Sequence, residues 1–266
     1  TFYHQIKKVD FDVKLMNWDG TMVREFRMAM PLQIQDGQVA YETPFGVVEV
    51  GKDEMPGAAG ERYMVPCKDL HPRGIENWIS ASGDEFGLTL SSSVVAMDYI
   101  DPTDKGLTNT ILQPVLLASR RSCHWEGNDY HQTGNHSFSF SITSHKPGWK
   151  NGVKPGREAN ELLHAVLDPS RYADANLSES MSFLEVDADN VIVSAMKKAE
   201  DKNATVLRLY NLNEEATAVS LHFSEKFTKA WRTNLIEEGE EELEVKDGIL
   251  QLTLGNQSIE TLLLMY

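Results

Sequence analysis

Ser137-Phe138-Ser139-Phe140-Ser141-Ile142-Thr143 alternates large apolar side chains with hydroxyls for seven residues, the period-two signature of a strand that faces a core on one side. The hydroxyl side is polar without being charged. Such strands belong to antiparallel sheets with one wetter face. The same period appears at the amino end, where Val9, Phe11, Val13 and Leu15 fall on one face and Asp10, Asp12 and Lys14 on the other.

Outward from these two stretches the chain reads as a succession of strands. Asn17-Trp18-Asp19-Gly20 is a turn signal, and the return of apolar residues at Val23, Phe26, Met28 and Met30 predicts a hairpin. Asp36-Gly37, before Val39-Ala40-Tyr41, predicts another. A short strand is expected at 46–50, and strand-like runs at 77–81, 87–99, 112–118 and 137–143. Gly83-Asp84-Glu85 reads as a turn between two of them.

Three stretches do not fit the pattern. Residues 52–73 are rich in Gly and Pro with little periodicity, which predicts a long structured loop, a feature that often carries function. Pro147-Gly148, Asn151-Gly152 and Pro155-Gly156 predict three turns in succession. Residues 158–167 fit a helical stripe as well as a buried strand. From Asp168 to Ser180 the composition is that of a linker, and the domain boundary is placed there, giving domains 1–172 and 173–266.

Beyond the linker come runs with strand periodicity at 183–186, 191–197, 205–211, 219–223, 229–234, 249–254 and 259–265, separated by Asn, Asp and Gly turn signals. Such spacing predicts a small β-sandwich. The acid run Glu237 to Glu242 reads as a solvated loop. The fold class is therefore all-β.

The 266 residues carry a net charge of −15, with an acidic excess in both halves. That field repels phosphate backbones and anionic lipid, which argues against nucleic-acid and membrane partners. At 41% hydrophobic and 24% charged the composition is that of a soluble globular chain, and no apolar run approaches the length of about 18 residues that a spanning helix needs. Cys67 and Cys123 read as two buried thiols. The opening Thr1-Phe2-Tyr3 runs straight into strand-like sequence, as though cut from a longer chain.

Candidate functional side chains lie in two places. Arg62, Tyr63, His71 and Arg73 in the long loop could grip hydroxyls while a ring stacks on a sugar face, or the arginines could pair with Asp53, Glu54, Glu61 or Asp69. His124, Glu126, His131 and His136, with Trp125 and Tyr130 among them, could form a sugar-binding surface, buttress another domain, or satisfy local backbone groups. Zinc-type spacing is absent, so no metal is expected in this chain. No nucleophile elbow, phosphate loop or His-Glu-x-x-His motif is present, so no catalytic residue is expected either.

Several stretches, in order along the chain, resemble the carboxy-terminal half of bacterial family 38 glycoside hydrolases, the α-mannosidases. They are Met16-Asn17-Trp18-Asp19-Gly20 with Arg24-Glu25-Phe26-Arg27, Tyr41-Glu42-Thr43-Pro44-Phe45-Gly46, Gly134-Asn135-His136-Ser137-Phe138 with Ser144-His145, and Lys197-Lys198-Ala199-Glu200 with Leu207-Arg208-Leu209-Tyr210. One departure is Leu90-Ser91-Ser92-Ser93-Val94, where many members carry Leu-Asn-Asp-x-Lys-Tyr-Gly. The resemblance implies a β-supersandwich of the galactose-mutarotase-like type followed by a smaller sandwich. It also implies that the catalytic carboxylates and a divalent metal, zinc, belong to an amino-terminal (β/α) barrel absent from these residues. The partners it implies are that barrel and mannose-containing glycans. A free-standing carbohydrate-binding module is the alternative, and exposed strand edges would permit a homo-oligomer.

Overall fold

The computed structural model describes residues 1–53, 72–99, 109–121, 127–168, 178–224 and 227–265. The chain divides into two compact units, Thr1–His164 and Ala165–Tyr266. Both are built from antiparallel sheets, and among the described residues the architecture is all-β apart from one short helical segment.

The first unit contains β1 (Val9–Trp18), β2 (Arg24–Arg27), β3 (Met30–Gln35), β4 (Gln38–Thr43), β5 (Gly46–Glu49) and β6 (Arg73–Gly74). After these come β7 (Trp78–Ser82), β8 (Gly87–Ser92), β9 (Ala96–Asp98), β10 (Asn109–Arg121), β11 (Asp129–Tyr130) and β12 (Gly134–His145). Sheet I runs β1-β12-β8-β7-β4-β5; sheet II runs β11-β10-β9-β6, with β2 and β3 also on β10. Strands of both sheets supply one core, in which Ile79, Leu90 and Phe140 meet Leu32, Met97 and Leu112.

The alternation of β12 sets the two faces of sheet I. Phe138, Phe140 and Ile142 face the core, and Ser139, Ser141, Thr143 and His145 face outward. In register beside them stand Thr89 and Ser91 of β8 and, one strand further, Trp78 and Ser80 of β7. On the far side of β12, Asp10 lies opposite Ser141 and Asp12 opposite Ser139.

The outer face is partly covered by a strap made of a 3-10 turn, Trp149–Gly152, and helix α1, Val153–Glu158. Three successive turns were the expectation for this stretch; two of the three dipeptides are helical instead. Pro155 is tolerated because it sits in the first turn of α1, where its missing N–H has no intrahelical acceptor to lose. Gly156 lies so close to Trp78 that a Cβ would stand 2.6 Å from Cγ of the indole. Ser91 donates to the carbonyl of Gly156 at 2.9 Å, the N–H of Gly148 donates to Ser82 at 2.6 Å, and Trp149 stacks on Trp78 with centroids 6.5 Å apart. Arg157 pairs with Glu42, which is 2% exposed.

Several expected hairpins are sheet crossings. β1 belongs to sheet I and β2 to sheet II, so Asp19-Gly20 carries the chain between layers. Positive φ at Asn17 (55°), Gly20 (79°) and Val23 (57°) bends it out of the plane. Asp36-Gly37 does the same between β3 and β4. The two-residue hairpin at this end is β4–β5, turning through Pro44 and Phe45, with Phe45 at φ 62°. The run 87–99, expected as one strand, breaks into β8 and β9 because Ser92 accepts from the N–H of Val94 and turns the chain toward sheet II. The 83–86 turn does join paired strands, β7 and β8. After α1, residues 159–168 form neither helix nor strand, and Leu162 and Leu163 are exposed.

The second unit comprises β13 (Leu184–Val186), β14 (Val191–Lys198), β15 (Ala204–Asn211), β16 (Thr217–Phe223), β17 (Lys229–Thr233), β18 (Gly239–Leu243), β19 (Val245–Lys246), β20 (Ile249–Leu254) and β21 (Ile259–Met265). Sheet III, β13-β16-β20-β19, and sheet IV, β14-β15-β21-β17-β18, share a core of Leu207, Leu209, Leu221, Leu250, Leu254 and Leu262. Val206 and Leu263 form a second cluster on the opposite side of sheet IV with Ala199 and Ala204, which explains the unbroken apolar run Leu262-Leu263-Leu264.

The acid run is a loop only at Glu237 and Glu238. Its residues 239–242 belong to the edge strand β18, where Glu242 meets Lys229 of β17 at 3.1 Å and Glu241 meets Arg232. Charge along one strand is stable when the neighbouring strand supplies the opposite sign.

If the strap is held by close approach, Gly156→Val lowers the stability of the first unit by about 1–3 kcal/mol, read as an earlier urea midpoint. Gly74→Ala, which meets nothing within 4 Å, stays within about 0.5 kcal/mol of the parent chain.

Candidate functional site

Arg62, Tyr63, His71, His124 and Glu126 lie outside the described residues, as do Cys67 and Cys123. The candidates that are described, Arg73, His131 and His136, belong to different parts of the first unit. Arg73 is on β6 opposite Met97 of β9, and β9 meets β10 at Pro114. His131 follows Tyr130, which lies opposite Arg120 at the far end of the same strand. Six residues of β10 separate the two positions, about 20 Å at strand rise. Arg73 and the histidines therefore do not share a site.

His131 instead builds a corner with the crossing after β1. Its Nδ1 donates to the carbonyl of Gly20 at 2.9 Å, and its own carbonyl accepts from Ser119 Oγ at 2.6 Å and from Trp18 Nε1 at 3.1 Å. Trp18 Nε1 also reaches Ser119 Oγ at 3.0 Å, and its ring meets Phe26 edge-on at 4.9 Å. The N–H of Asn17 donates to Asn135 Oδ1 at 2.7 Å. His136 donates from Nε2 to the carbonyl of Gln132 at 2.8 Å, and its ring stacks near Phe138. Both histidines thus use one ring nitrogen to hold backbone.

Exposed polar groups surround this corner. Tyr130 is 48% exposed, and Arg121 grips Asp129 through two nitrogens, at 2.6 and 3.2 Å. The hydrogen bond from Arg121 holds the Asp129 carboxyl below the usual range. Asp19 is held low by the backbone N–H and hydroxyl of Thr21. These fixed charges and ring edges can accept and donate toward a hydroxylated or protein surface. Trp18, Gly20 and Ser119 were missed as members of the corner. Asp-Gly carries the same turn signal whether it closes a hairpin or crosses between sheets.

A second polar surface is the outer face of sheet I. Beside the strap lies a cavity of about 840 Å³, floored by Asp10, Asp12, Ser139, Ser141 and Thr143 and rimmed by Tyr3, Ile6, Leu162 and Leu163. Ser141 donates to Asp10 at 2.6 Å and Ser139 to Asp12 at 2.7 Å. Under the strap, burial raises the pKa of Glu42, which the Arg157 charge opposes. Glu42 Oε2 and Trp78 Nε1 are buried without a hydrogen-bond partner among the described residues. Among the described residues no group of three His, Cys, Asp or Glu side chains is arranged to hold a metal ion. No described helix is long and apolar enough to cross a membrane.

Comparison with known proteins adds the family context. Residues 190–262 match the family described as glycosyl hydrolases family 38 C-terminal beta sandwich domain. Among solved structures, an alpha-mannosidase from Enterococcus faecalis V583 superposes with a TM-score of 0.73 at 14% identity, over 98% of this chain and 28% of the other. A protein in the glycosyl hydrolase family 38 from Enterococcus faecalis gives the same values. At that identity the likeness is one of fold. The present chain spans about 28% of the length of those proteins. No curated protein sequence matches the chain.

The corner geometry makes a prediction for stability. Ser119→Ala, which removes the donor to the His131 carbonyl, costs about 1 kcal/mol in urea unfolding. Gly20→Ala costs more than about 1 kcal/mol, because φ is +79° and the added Cβ would stand 2.5 Å from Thr133 Cγ2.

Proposed function

From the premise that residues 190–262 are a family 38 C-terminal β-sandwich domain, we propose that the chain is the non-catalytic carboxy-terminal part of a longer α-mannosidase-like glycoside hydrolase. The longer protein hydrolyses terminal α-mannosides on a catalytic barrel that precedes these residues. The barrel holds the acid, the nucleophile and a zinc ion, and the two β units support it.

The single observation that carries this reading is the family match. It is supported by the agreement in fold over 98% of the chain with a protein that is itself called an alpha-mannosidase. On this reading the first unit is a supersandwich of the galactose-mutarotase-like type, and its Trp18–His131 corner, with the neighbouring loops, borders the sugar site. Support rather than catalysis also suits the chemistry at hand. The buried carboxylate under the strap is paired with Arg157, and the paired carboxylates at the corner and cavity serve hydroxyls and bases of their own chain.

The pure 266-residue chain is expected to release no aryl alcohol from an aryl α-mannoside above the buffer blank; sustained turnover overturns the proposal. Calorimetric titration with mannose at millimolar concentration is expected to give no saturable heat. A saturable isotherm would assign the chain instead to the carbohydrate-binding modules.

A further inference from the structure

We propose that the Trp149–Glu158 strap is an acid-sensitive clasp, closed on the outer face of sheet I while the ring of His145 is neutral and released when that ring takes a proton. The inference goes beyond the proposed function and stands whether or not the longer protein is a mannosidase.

The ring sits in a slot made for it. A Cβ on Gly87 would stand 2.2 Å from Cε1 of His145, and one on Gly152 would stand 2.7 Å from Nε2. Gly87 lies opposite His145 on the neighbouring strand, and Gly152 is the last residue of the strap's 3-10 turn. The imidazole therefore lies between the sheet and the strap, and glycine at both places is what lets the layers approach so closely.

Hydrogen bonding sets the tautomer of the neutral ring, and the slot and the surrounding charges weigh against the protonated one. Nδ1 lies 2.7 Å from the carbonyl of Lys146, an obligate acceptor, so Nδ1 carries the proton. In the neutral ring Nε2 is then the acceptor, with Thr89 Oγ1 at 3.0 Å; Ser80 Oγ lies 3.3 Å from Nε2 and 3.3 Å from the carbonyl of Leu88, to which it donates. Among the described residues, the groups packed on the ring supply no carboxylate to balance a charge on it. Thr89 and Ser80, from β8 and β7, are neutral, and Gly152 offers only backbone. Of the strap's own ionic groups, Lys154 pairs with Glu158, Arg157 with Glu42, and Lys150 lies over the Trp149 ring. The amino-terminal segment contributes Lys7, a like charge.

Burial accordingly lowers the His145 pKa below the ordinary 6.5, and Lys7 lowers it further, against the Lys146 carbonyl. The sign follows. A ring freed from the slot binds a proton more readily than the slotted ring, so opening gains as pH falls below 6.5 toward the lowered value. Glu42, at the other end of the strap, works the opposite way. Its pKa is raised by burial, so acid favours the closed arrangement there. A downward trend in strap stability with acid therefore points to the histidine.

The test is amide hydrogen exchange of the intact chain, corrected for intrinsic rates, compared at about pH 7.5 and pH 5, together with a ring-nitrogen NMR titration. The expected result is a loss of protection of about tenfold at residues 149–158, with the central strands of sheet I unchanged and the midpoint coincident with His145 titration. In His145→Asn the loss disappears or reverses. Protection in the wild-type strap that does not change with pH, or a midpoint that follows another group, overturns the proposal even if the variant fails to fold. An unaltered loss in a folded His145→Asn chain also overturns it.

Discussion

The first unit depends on a single constraint: sheet I has a polar outer face that is largely removed from water. Ser80, Thr89, Ser91 and Ser141 are all at most 6% exposed, and Glu42 is 2% exposed. A buried hydroxyl without a partner costs on the order of 1–3 kcal/mol, so whatever lies over such a face must bring matching groups. The strap does so at Gly156 and Arg157, and the β1 carboxylates do so for the serines of β12. Glycines at 152 and 156 are the price of this closeness, since a side chain at either would push the helix off the hydroxyls it serves.

Much of this was legible from residues. The seven-residue alternation at 137–143 marked β12 and both its faces, and the runs in the last ninety residues correspond to seven observed strands, with boundaries within two residues. Partners were harder to read. Period-two alternation says which way a side chain points, not which strand stands beside it, so Asp19-Gly20 and Asp36-Gly37 passed for hairpins although each changes sheet. The strap was hidden because Pro155 and Gly156 are both turn residues by local preference. Only Trp78, 78 positions earlier than Gly156, explains why a glycine is needed there. The acid strand was hidden in the same way, since its counter-charges, Lys229 and Arg232, sit on another strand.

Functional side chains were the least legible. His131 and His136 attracted notice as ligand-type residues, yet each spends a ring nitrogen on a backbone carbonyl. His145, which stands in the sequence as one part of a resemblance, lies between Gly87 and Gly152 with Thr89 at its Nε2. A single imidazole looks the same in a sequence whether it faces solvent or fills a slot between two glycines. The likeness to a family model is confined to residues 190–262 of the second unit, while the first unit is similar to solved structures in fold alone.

The pairing of β1 with β12 also bears on how the chain is made. Asp10 and Ser141, bonded in the finished sheet, are 131 residues apart. At a synthesis rate of about 5–20 residues per second, the first strand emerges roughly ten seconds before its partner exists. For that interval a stretch with Phe11 and Val13 on one side must stay unjoined, and its alternating Asp10, Asp12 and Lys14 keep it hydrated while it waits. The carboxylates that receive the serine hydroxyls in the finished sheet are thus the same groups that give the unpaired strand a charged, hydrated face.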